Sequence, residues 1–330
     1  MSDGRPTYLL FGGSGYIGCH LASRLRRRHP DAHIILADLV PPLPWLPSSV
    51  AEWQQCDVRE PIHGPLVGVR PHWTINLAAV HREPGHLDEE YFATNTPGAR
   101  NVCEFASIVG CKNLLFTSSI AVYGPRDIPC TENVSLRPTT AYGRSKLDAE
   151  RIHATWQASD DRRKLVVARP GVVYGPHDPG NILRMINAIR GGYFVLPGPR
   201  RLRKSYAYIE GLLDSIEWSM ARPEPAVVYN YVDHPTEQIG AIVEYARRFV
   251  GRRLPVPAVP LPLLLLIANV GRWTLGDLVG PLHPTRVRKA ATQTWIVPEL
   301  LESKGFEFRY TFASALEDWR ARTPDDFARK

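Results

Sequence analysis

Short apolar runs alternate with longer helix-like stretches through the first half of this 330-residue chain. Runs such as Ile34 to Ala37 and Leu165 to Ala168 show no alternation with polar residues, which is typical of strands covered on both faces. Strands of this kind separated by helices predict a parallel sheet with helices on both sides. The predicted strands are 7–11, 34–37, 73–77, 114–116 and 165–168, and the predicted helices are 15–28, 88–109 and 142–158.

The regular pattern loosens after about residue 175, where prolines and glycines become frequent. We therefore predict an α/β fold in two parts, with no internal repeat. A doubly wound parallel sheet covers residues 1–175. A smaller, irregular C-terminal lobe covers residues 176–330 and interleaves with the last strands of the main sheet.

Three glycines with the spacing GxxGxxG join the first predicted strand to the first predicted helix: Gly12, Gly15 and Gly18. Glycines there permit a tight turn and let the backbone approach a pyrophosphate, while the helix N-terminus offers free N–H groups to the anion. The strand–loop–helix context predicts a Rossmann-type dinucleotide site, with Tyr16 and Ile17 among the residues that bind the cofactor. The alternative is a glycine turn that holds no ligand.

Asp38 lies at the end of the second predicted strand. A carboxylate there can accept hydrogen bonds from the adenine ribose hydroxyls, and it would repel a 2′-phosphate. Because Leu39 and Val40 provide no cation to offset that repulsion, the sequence favours NAD over NADP as the cofactor. Asp57 and Val58 follow a third strand-like run, and we expect them at the adenine edge of the same site.

Tyr142 and Lys146 are four residues apart at the start of the third predicted helix, so they share one face. A tyrosine pKa of about 10 makes a poor base at neutral pH. A neighbouring ammonium favours the phenolate and makes the tyrosine a usable general acid or base. Ser119 follows the fourth predicted strand, at the sheet edge where ligands bind, and its hydroxyl can donate to a substrate oxygen. We predict these three residues to be catalytic and Ser118 to support Ser119 from the substrate side.

Further motifs accompany these residues in order along the chain. They are Asn76-Leu77-Ala78-Ala79 at a strand end, Val122-Tyr123-Gly124 after Ser119, and the segment 169–176 of sequence RPGVVYGP. Together the motifs resemble the extended short-chain dehydrogenase/reductase family, in its NAD-dependent epimerase/dehydratase group. The likeness is dense up to about residue 176 and thinner beyond it.

The resemblance implies a role for each motif. Ser119, Tyr142 and Lys146 form the catalytic trio, and the last two also contact the nicotinamide end of NAD. The glycine loop and Asp38 hold the cofactor, with Ala78 and Asn95 nearby. The helices near 88–110 and 142–158 form a four-helix interface in a homodimer.

The chain departs from the family pattern at three places. Phe11 stands where the family commonly has threonine, a change expected to affect packing more than catalysis. Ile120 and Ala121 occupy the positions of an Asp-Glu pair that drives loss of water in sugar dehydratases, which argues against a 4,6-dehydratase. Val172 replaces an asparagine that touches the substrate in many sugar epimerases, which argues against ordinary UDP-galactose 4-epimerase activity.

The segment around Lys204 resembles the family stretch in which an arginine grips a nucleotide phosphate. Lys204 occupies that position with Arg203 beside it, and paired cations suit a diphosphate. A solvated basic loop is the alternative. Asn181 and Arg286 are further candidates for substrate contact by position.

Two histidines are also predicted near the substrate. His81, with Arg82 beside it, follows the strand end at 76–79, and His177 follows Gly175-Pro176. The alternative for each histidine is a structural or surface position, and no spacing of ligand residues indicates a metal site.

The chain carries a net charge of +7, and 22% of its residues are charged, as expected for a folded protein. Arginine clusters at 24–28 and 162–164 are predicted to lie on solvated faces. Nucleic acid is not expected as a partner, because no zinc-finger spacing or aromatic RNA motif accompanies them. Five cysteines without a CxxC pair, and no secretory signal pattern, predict reduced thiols in a cytoplasmic protein.

Residues 261–270, of sequence LPLLLLIANV, are strongly apolar. The run is too short to span a bilayer, which needs about 20 residues. We predict a core helix, a wall of the substrate pocket or a dimer contact, and we do not expect a membrane contact. The lesser alternative is a helix that lies on a membrane surface, helped by Arg252, Arg253 and Arg272.

These observations predict an NAD-dependent nucleotide-sugar epimerase that acts through a transient keto intermediate. One alternative is a reductase or dehydrogenase acting on a 4-keto nucleotide sugar or a sterol-like alcohol, which Val172 and the 261–270 segment favour. Another is a dinucleotide sensor without catalysis, which would have no need of the proton relay.

Overall fold

The structure is a computed structural model that describes residues 5–81, 85–178, 180–275 and 283–328. Its strands are β1 (Thr7–Phe11), β2 (His33–Asp38), β3 (Glu52–Gln55), β4 (Trp73–Asn76), β5 (Asn113–Thr117), β6 (Lys164–Pro170), β7 (Val172–Tyr174), β8 (Leu196–Pro197), β9 (Tyr206–Tyr208), β10 (Ala226–Tyr231) and β11 (Ala258–Val259). Its α-helices are α1 (Tyr16–Arg28), α2 (Asp88–Ile108), α3 (Ala141–Ala158), α4 (Asn181–Gly191), α5 (Ile209–Met220), α6 (Ile239–Phe249), α7 (Leu261–Leu275), α8 (Pro284–Ala291), α9 (Glu299–Ser303) and α10 (Phe312–Arg322). Single turns of 3-10 helix lie at Gly64–Gly68, Ile120–Tyr123 and Pro324–Phe327.

Seven parallel strands form the main sheet, in the order β10-β6-β5-β4-β1-β2-β3. The chain runs outward from β1 to β3, returns to the other side of β1 as β4, and continues outward to β10. The order therefore reverses between β1 and β4. Ligands of open parallel sheets bind at such a reversal, outside the carboxyl ends of the strands. The prediction of a Rossmann-type doubly wound sheet is confirmed.

The strands send alternate side chains into two apolar layers. Leu10 and Leu36 belong to the layer beneath α1, α4, α5 and α6, whereas Phe11 and Ile35 belong to the layer beneath α2 and α3. All four side chains are buried. Because both faces of the sheet are covered, the strands need no polar side, which explains their continuous apolar sequence.

The three helices predicted in the first half are present, and their ends differ from the predicted ends by one residue at most. Beyond residue 175 the chain contributes both to the main sheet and to a smaller lobe. β10 pairs with β6, while β7–β9 and β8–β11 form two small sheets of their own. None of the described helices is long and apolar enough to cross a membrane.

Arg24 belongs to an arginine cluster predicted to be solvated, and this prediction is wrong for Arg24. Its guanidinium is buried between α1 and α5, where it forms ion pairs with Glu210 and Asp214. The carboxylates offset the cost of removing the charge from water. Arg27 and Arg28 are exposed, as expected.

A second buried ion pair joins α3 to β6. Arg169 donates from Nε and Nη2 to the two carboxylate oxygens of Glu150, at 2.9 and 2.6 Å. Its Nη1 donates to the hydroxyl of Tyr123 at 2.9 Å, and that hydroxyl donates to Asn230 Oδ1 at 2.7 Å. The network ties α3, β6 and β10 together beneath the edge of the sheet.

Replacing Arg169 by methionine should lower the free energy of unfolding by about 3–5 kcal/mol, because it leaves the buried carboxylate of Glu150 without a counter-charge. Arg151→Met is the matched control. Arg151 is 71% exposed and pairs with Asp148 on the same helix, and exposed pairs contribute about 0–1 kcal/mol. Urea denaturation followed by circular dichroism measures both variants. Equal losses would contradict a special role for the buried pair.

Candidate active site

Gly12 brings the loop after β1 against the loop after β4. Its φ is +70°, and a Cβ at this position would lie 2.5 Å from the backbone nitrogen of Ala78. Gly18 of α1 is confined in the same way, since its Cβ would lie 2.3 Å from the carbonyl oxygen of Gly13. Side chains at either position would push these backbones apart, so the spacing of the glycines follows from packing.

The N-terminus of α1 faces this loop without a side-chain cap. Gly15 is the N-cap, and the first turn, which starts with Tyr16 and Ile17, contains no acidic residue. The first N–H groups of a helix have no partner within the helix and attract anions. The Oγ of Ser14 is also buried, with no hydrogen-bond partner among the described residues.

Asp38 ends β2 beside the glycine loop. Its Oδ2 accepts a hydrogen bond from the backbone N–H of Ser14 at 3.0 Å. Burial raises the pKa of Asp38, while backbone N–H groups of Ser14, Leu39 and Val40 oppose that shift. The carboxylate is therefore held next to the loop by a backbone donor.

Asp57 and Val58 lie just beyond β3. The carboxylate of Asp57 is 2.6 Å from the guanidinium of Arg59, so it is oriented by its neighbour. Val58 is buried against α2, where a Cβ on Gly98 would meet its Cγ2 at 3.0 Å. A groove lined by residues 54–57 and 60–63 runs past Asp57.

A chain of hydrogen bonds through Asn76 fixes the end of β4. Asn76 accepts from the N–H of Ala78 at 3.2 Å and contacts His153 Nε2 through its amide nitrogen at 3.2 Å. His153 Nδ1 lies 2.7 Å from the carbonyl oxygen of Ala149, which can only accept, so this nitrogen carries the proton. Burial lowers the pKa of His153 to about 4, and the ring is neutral at pH 7. The backbone at Ala78, which touches Gly12, is thus held in place through Asn76 by His153 of α3.

Sequence reasoning did not identify His153, although a signal was present. His153 lies seven residues after Lys146, so both side chains point from the same face of α3. Both pack on Phe116 of β5. The imidazole stacks on its ring with centroids 4.3 Å apart, and the ammonium of Lys146 lies 4.5 Å from the ring centroid.

Asn95 ties the segment after β4 to α3. Its Oδ1 accepts from the N–H of Val80 at 2.9 Å, and its Nδ2 donates to the carbonyl of Val80 at 3.2 Å and to Ser145 Oγ at 2.9 Å. Asn95 is buried, so its clear function in this structure is to shape the loop beside Ala78.

Gly143 allows α3 to press against the turn that follows β5. A Cβ on Gly143 would lie 2.6 Å from the carbonyl oxygen of Ala121. Ser119 is the N-cap of that turn, and its Oγ accepts from the N–H of Ala121 at 3.1 Å. Tyr142 directly precedes Gly143, so the close packing brings the predicted serine and tyrosine to the same edge of the sheet.

Lys146 lies one turn along α3 from Tyr142 and is 2% exposed. Burial lowers the pKa of Lys146 to about 7, although the nearby carboxylate of Glu150 opposes the shift. An amine with this pKa changes its charge near neutral pH. Ser118 directly precedes Ser119, and its buried hydroxyl has no hydrogen-bond partner among the described residues.

His177 belongs to an aromatic cluster near the start of α1. Its ring stacks on Trp45 with centroids 4.7 Å apart, and Trp45 lies 4.6 Å from His20. The ring of Tyr16 packs on His20 at 4.8 Å. The cluster joins a predicted substrate residue, His177, to a predicted cofactor residue, Tyr16. Sequence reasoning missed Trp45 and His20, which link them.

The side chain of Lys204, in the loop before β9, contacts the C-terminal end of α8. Its ammonium donates to the carbonyl oxygen of Lys289 at 3.0 Å and to that of Thr292. Burial lowers the pKa of Lys204 to about 8, and the charge of Lys289 acts in the same direction. Cations stabilise helix C-termini, so Lys204 has an intramolecular partner here, and a phosphate contact stays a prediction. Arg203 stacks on Trp295, with its guanidinium 4.9 Å from the ring centroid.

The other substrate candidates are exposed and lie on separate elements. His81 follows β4, Asn181 begins α4 and accepts from Arg184 at 3.0 Å, and Arg286 lies on α8. Val172 of β7 is 38% exposed. Arg82 lies outside the described residues.

The residues around the glycine loop fit a dinucleotide. The close contact of Gly12 with Ala78 leaves no side chain over the loop, the α1 N-terminus offers uncapped donors, and Asp38 stands beside it. Within the described part of the chain, no group of three His, Cys, Asp or Glu side chains could hold a metal ion.

Two curated relatives extend this picture. The Escherichia coli O157:H7 N-acetyl-alpha-D-glucosaminyl-diphospho-ditrans,octacis-undecaprenol 4-epimerase is 30% identical over 246 residues, which are 73% of this chain and 74% of that protein. The Streptococcus mutans UDP-glucose 4-epimerase is 31% identical over 182 residues, 53% of this chain and 54% of that protein.

Solved structures share the fold at low sequence identity. MoeE5 in complex with UDP-glucose and NAD has a TM-score of 0.75 at 21% identity, with 98% of this chain and 100% of that chain covered. Bordetella bronchiseptica WbmG in complex with NAD and UDP has a TM-score of 0.74 at 20% identity, with 96% and 94% covered.

The profile of one family, described as the NAD dependent epimerase/dehydratase family, matches residues 8–231. This range includes the glycine loop, the Ser119 turn, the start of α3 and all seven strands of the main sheet except the first residue of β1. The family resemblance, the enzyme class and the NAD cofactor predicted from the sequence are thereby confirmed, and the chain belongs to the NAD dependent epimerase/dehydratase family.

Proposed function

We propose that this protein is an NAD-dependent epimerase of a sugar carried on a nucleotide diphosphate, acting through a transient keto intermediate. The observation that carries the proposal is the meeting of two sets of residues at one sheet edge. The Gly12–Ala78 contact packs the glycine loop against the segment after β4, and the Gly143–Ala121 contact packs the first turn of α3, which carries Tyr142, against the turn after β5, which Ser119 caps.

In the proposed reaction, Tyr142 as phenolate removes the proton of a sugar hydroxyl. Lys146 as ammonium stabilises that phenolate, and Ser119 donates a hydrogen bond to the oxygen as it becomes a carbonyl. When bound, NAD would supply the hydride acceptor, and in its reduced form the hydride donor, for the same carbon. The keto sugar then rotates and is reduced on its other face, and Tyr142 returns the proton to the oxygen. The configuration of the carbon changes without net oxidation.

The cofactor would be held by the glycine loop and the start of α1. Gly12, Gly15 and Gly18, followed by Tyr16 and Ile17, would approach the pyrophosphate through backbone groups. In the same proposal Asp38 accepts from the adenine ribose, Asp57 and Val58 border the adenine, Ala78 and Asn95 border the nicotinamide half, and Tyr142 and Lys146 hold its ribose.

The substrate would lie between this edge and the lobe that follows residue 175. We propose Ser118, His81, His177, Asn181 and Arg286 as its neighbours. Lys204 would contact a phosphate only after its ammonium left the carbonyl oxygens of Lys289 and Thr292. We further propose a homodimer formed through α2 and α3, in the cytoplasm.

A second candidate substrate is a sugar diphosphate linked to a lipid. The 30% identical relative, matched over 73% of this chain, is by name an epimerase of such a substrate. The exposed Val172, where many nucleotide-sugar epimerases carry asparagine, is compatible with a different substrate anchor. Assays should therefore offer both classes of diphosphate.

The nucleotide content of the purified protein separates the epimerase from the reductase. An epimerase regenerates its cofactor in every turnover and can retain it, so denaturing the protein should release NAD. A protein that releases no nucleotide, and consumes NADH or NADPH when given a keto sugar, would instead be the reductase.

Tyr142→Phe should lower kcat by roughly 10²–10⁴-fold, because the general acid–base group is lost while the ring remains. NAD binding should stay within about twofold of wild type by fluorescence titration. The control is Tyr245→Phe, which removes a hydroxyl that bonds Glu317 on a distant surface. Unchanged turnover in Tyr142→Phe would refute the mechanism.

Asp38→Ala should weaken NAD binding and improve NADP binding, because a ribose acceptor and a charge repelling the 2′-phosphate are both lost. We expect the ratio of the two dissociation constants to move about tenfold or more towards NADP. The exposed Asp31→Ala is the matched control. An unaltered ratio in Asp38→Ala would contradict the assignment of the cofactor.

A further inference from the structure

One side of α7 carries large apolar side chains that the fold leaves exposed. They form a stripe with spacings of three or four residues, which places them on a single side of the helix. We call this stripe the α7 outer face. Its members are 48–89% exposed, and they are Leu263, Leu266, Ile267, Val270 and Trp273.

The opposite side of α7 is packed into the lobe. Leu264 and Ala268 are buried together with Val287 of α8, and Val195 and Val259 pack against that cluster. The core helix predicted from the sequence therefore describes only this inner side. Because α8 and the small β8–β11 sheet hold α7 in place, the outer face is presented by a supported helix.

The segment of the chain that contains α7 and α8 has a net positive charge. Residues 250–298 contain six basic residues and a single acidic residue. Arg253, just before α7, is exposed, and so are Arg288 and Lys289 on α8. An exposed apolar stripe on a positively charged segment matches a membrane, whose interior is apolar and whose surface is anionic.

We propose that the α7 outer face docks on an anionic lipid membrane and holds the protein at its surface. The leucine, isoleucine and valine side chains enter the acyl boundary, and Trp273 lies at the level of the headgroups, where an amphipathic ring is favoured. The neighbouring arginines and lysine contact the lipid phosphates. This reverses the sequence-based expectation, because the sequence did not indicate which side of the helix is covered.

A second copy of the chain is a poorer occupant of the same face. Self-association through α7 would bring two basic segments together, and their repulsion opposes the contact. An anionic surface neutralises both charges and covers the apolar stripe at the same time. Charge complementarity therefore selects the membrane.

The docking also concerns the lobe that carries the candidate substrate residues. The C-terminal carbonyls of α8 hold Lys204, and α8 packs directly on α7. If the proposed function is correct, docking places this lobe against the membrane that would contain a lipid-linked sugar diphosphate. The docking itself requires no turnover and is tested without a sugar.

The test is sedimentation of the full-length protein with vesicles of phosphatidylcholine containing 30 mol% phosphatidylglycerol, compared with phosphatidylcholine alone. Wild type should sediment with the anionic vesicles and be released by high salt. The double variant Leu266→Asp, Ile267→Asp should lower the partition coefficient about tenfold or more. Ile128→Asp, which changes an exposed apolar residue far from α7 in sequence, is the matched control and should bind like wild type.

A second measurement locates the contact. Brominated lipids should quench the fluorescence of wild type more than that of Trp273→Phe, because the exposed indole lies in the headgroup layer. Absence of vesicle binding by wild type, or equal binding by the double variant, would overturn the proposal. Dimers that the double variant abolishes, without vesicle binding, would overturn it too, since the face would then join two copies. NAD binding by the same variants reports separately on the proposed function.

Discussion

The contact between Gly12 and Ala78 is the constraint on which the edge of the sheet depends. Two loops that follow neighbouring strands meet there with no room for a side chain, since a Cβ on Gly12 would lie 2.5 Å from the backbone nitrogen of Ala78. The N-terminus of α1 beside this contact has no side-chain cap, and the parallel pairing of β4 with β5 places Asn76 next to Phe116. Close packing thus requires glycine at position 12. The same loop leaves the N-terminus of α1 able to bind an anion.

Helix α3 is the second organising element, because one of its faces serves several purposes. Tyr142, Lys146, Glu150 and His153 recur at spacings of three or four residues, and the last three contact strands of the main sheet. Lys146 and His153 pack on Phe116, Glu150 receives the guanidinium from β6, and His153 holds Asn76. The proton-transfer residues therefore stand on a helix that is fixed along its length by buried polar partners, which limits their movement.

Five strands of the main sheet, the first three helices and the glycine loop were predictable because each depends on a local pattern of burial or turn geometry. The location of Asp38 at the end of β2 was predictable for the same reason. Arg24, Trp45 and His153 were not predictable in their roles, since their partners lie far away in sequence and come together only in the fold. Lys204 was predicted to contact a phosphate, but the family pattern did not indicate that its ammonium would bond carbonyl oxygens at the end of α8. The two sides of α7 likewise differ only once α8 is in place.

The place of β10 has a consequence for how the chain is made. β10 pairs with β6, and residues 171–225 separate the two strands. During synthesis, β6 has a bare hydrogen-bonding edge until residue 231 has left the ribosome, and such an edge invites pairing with other chains. A fragment ending at 175 would contain the glycine loop, Asp38 and the predicted catalytic trio, and it would still expose that edge. The shortest segment that carries the chemistry is therefore shorter than the shortest segment that can finish the sheet.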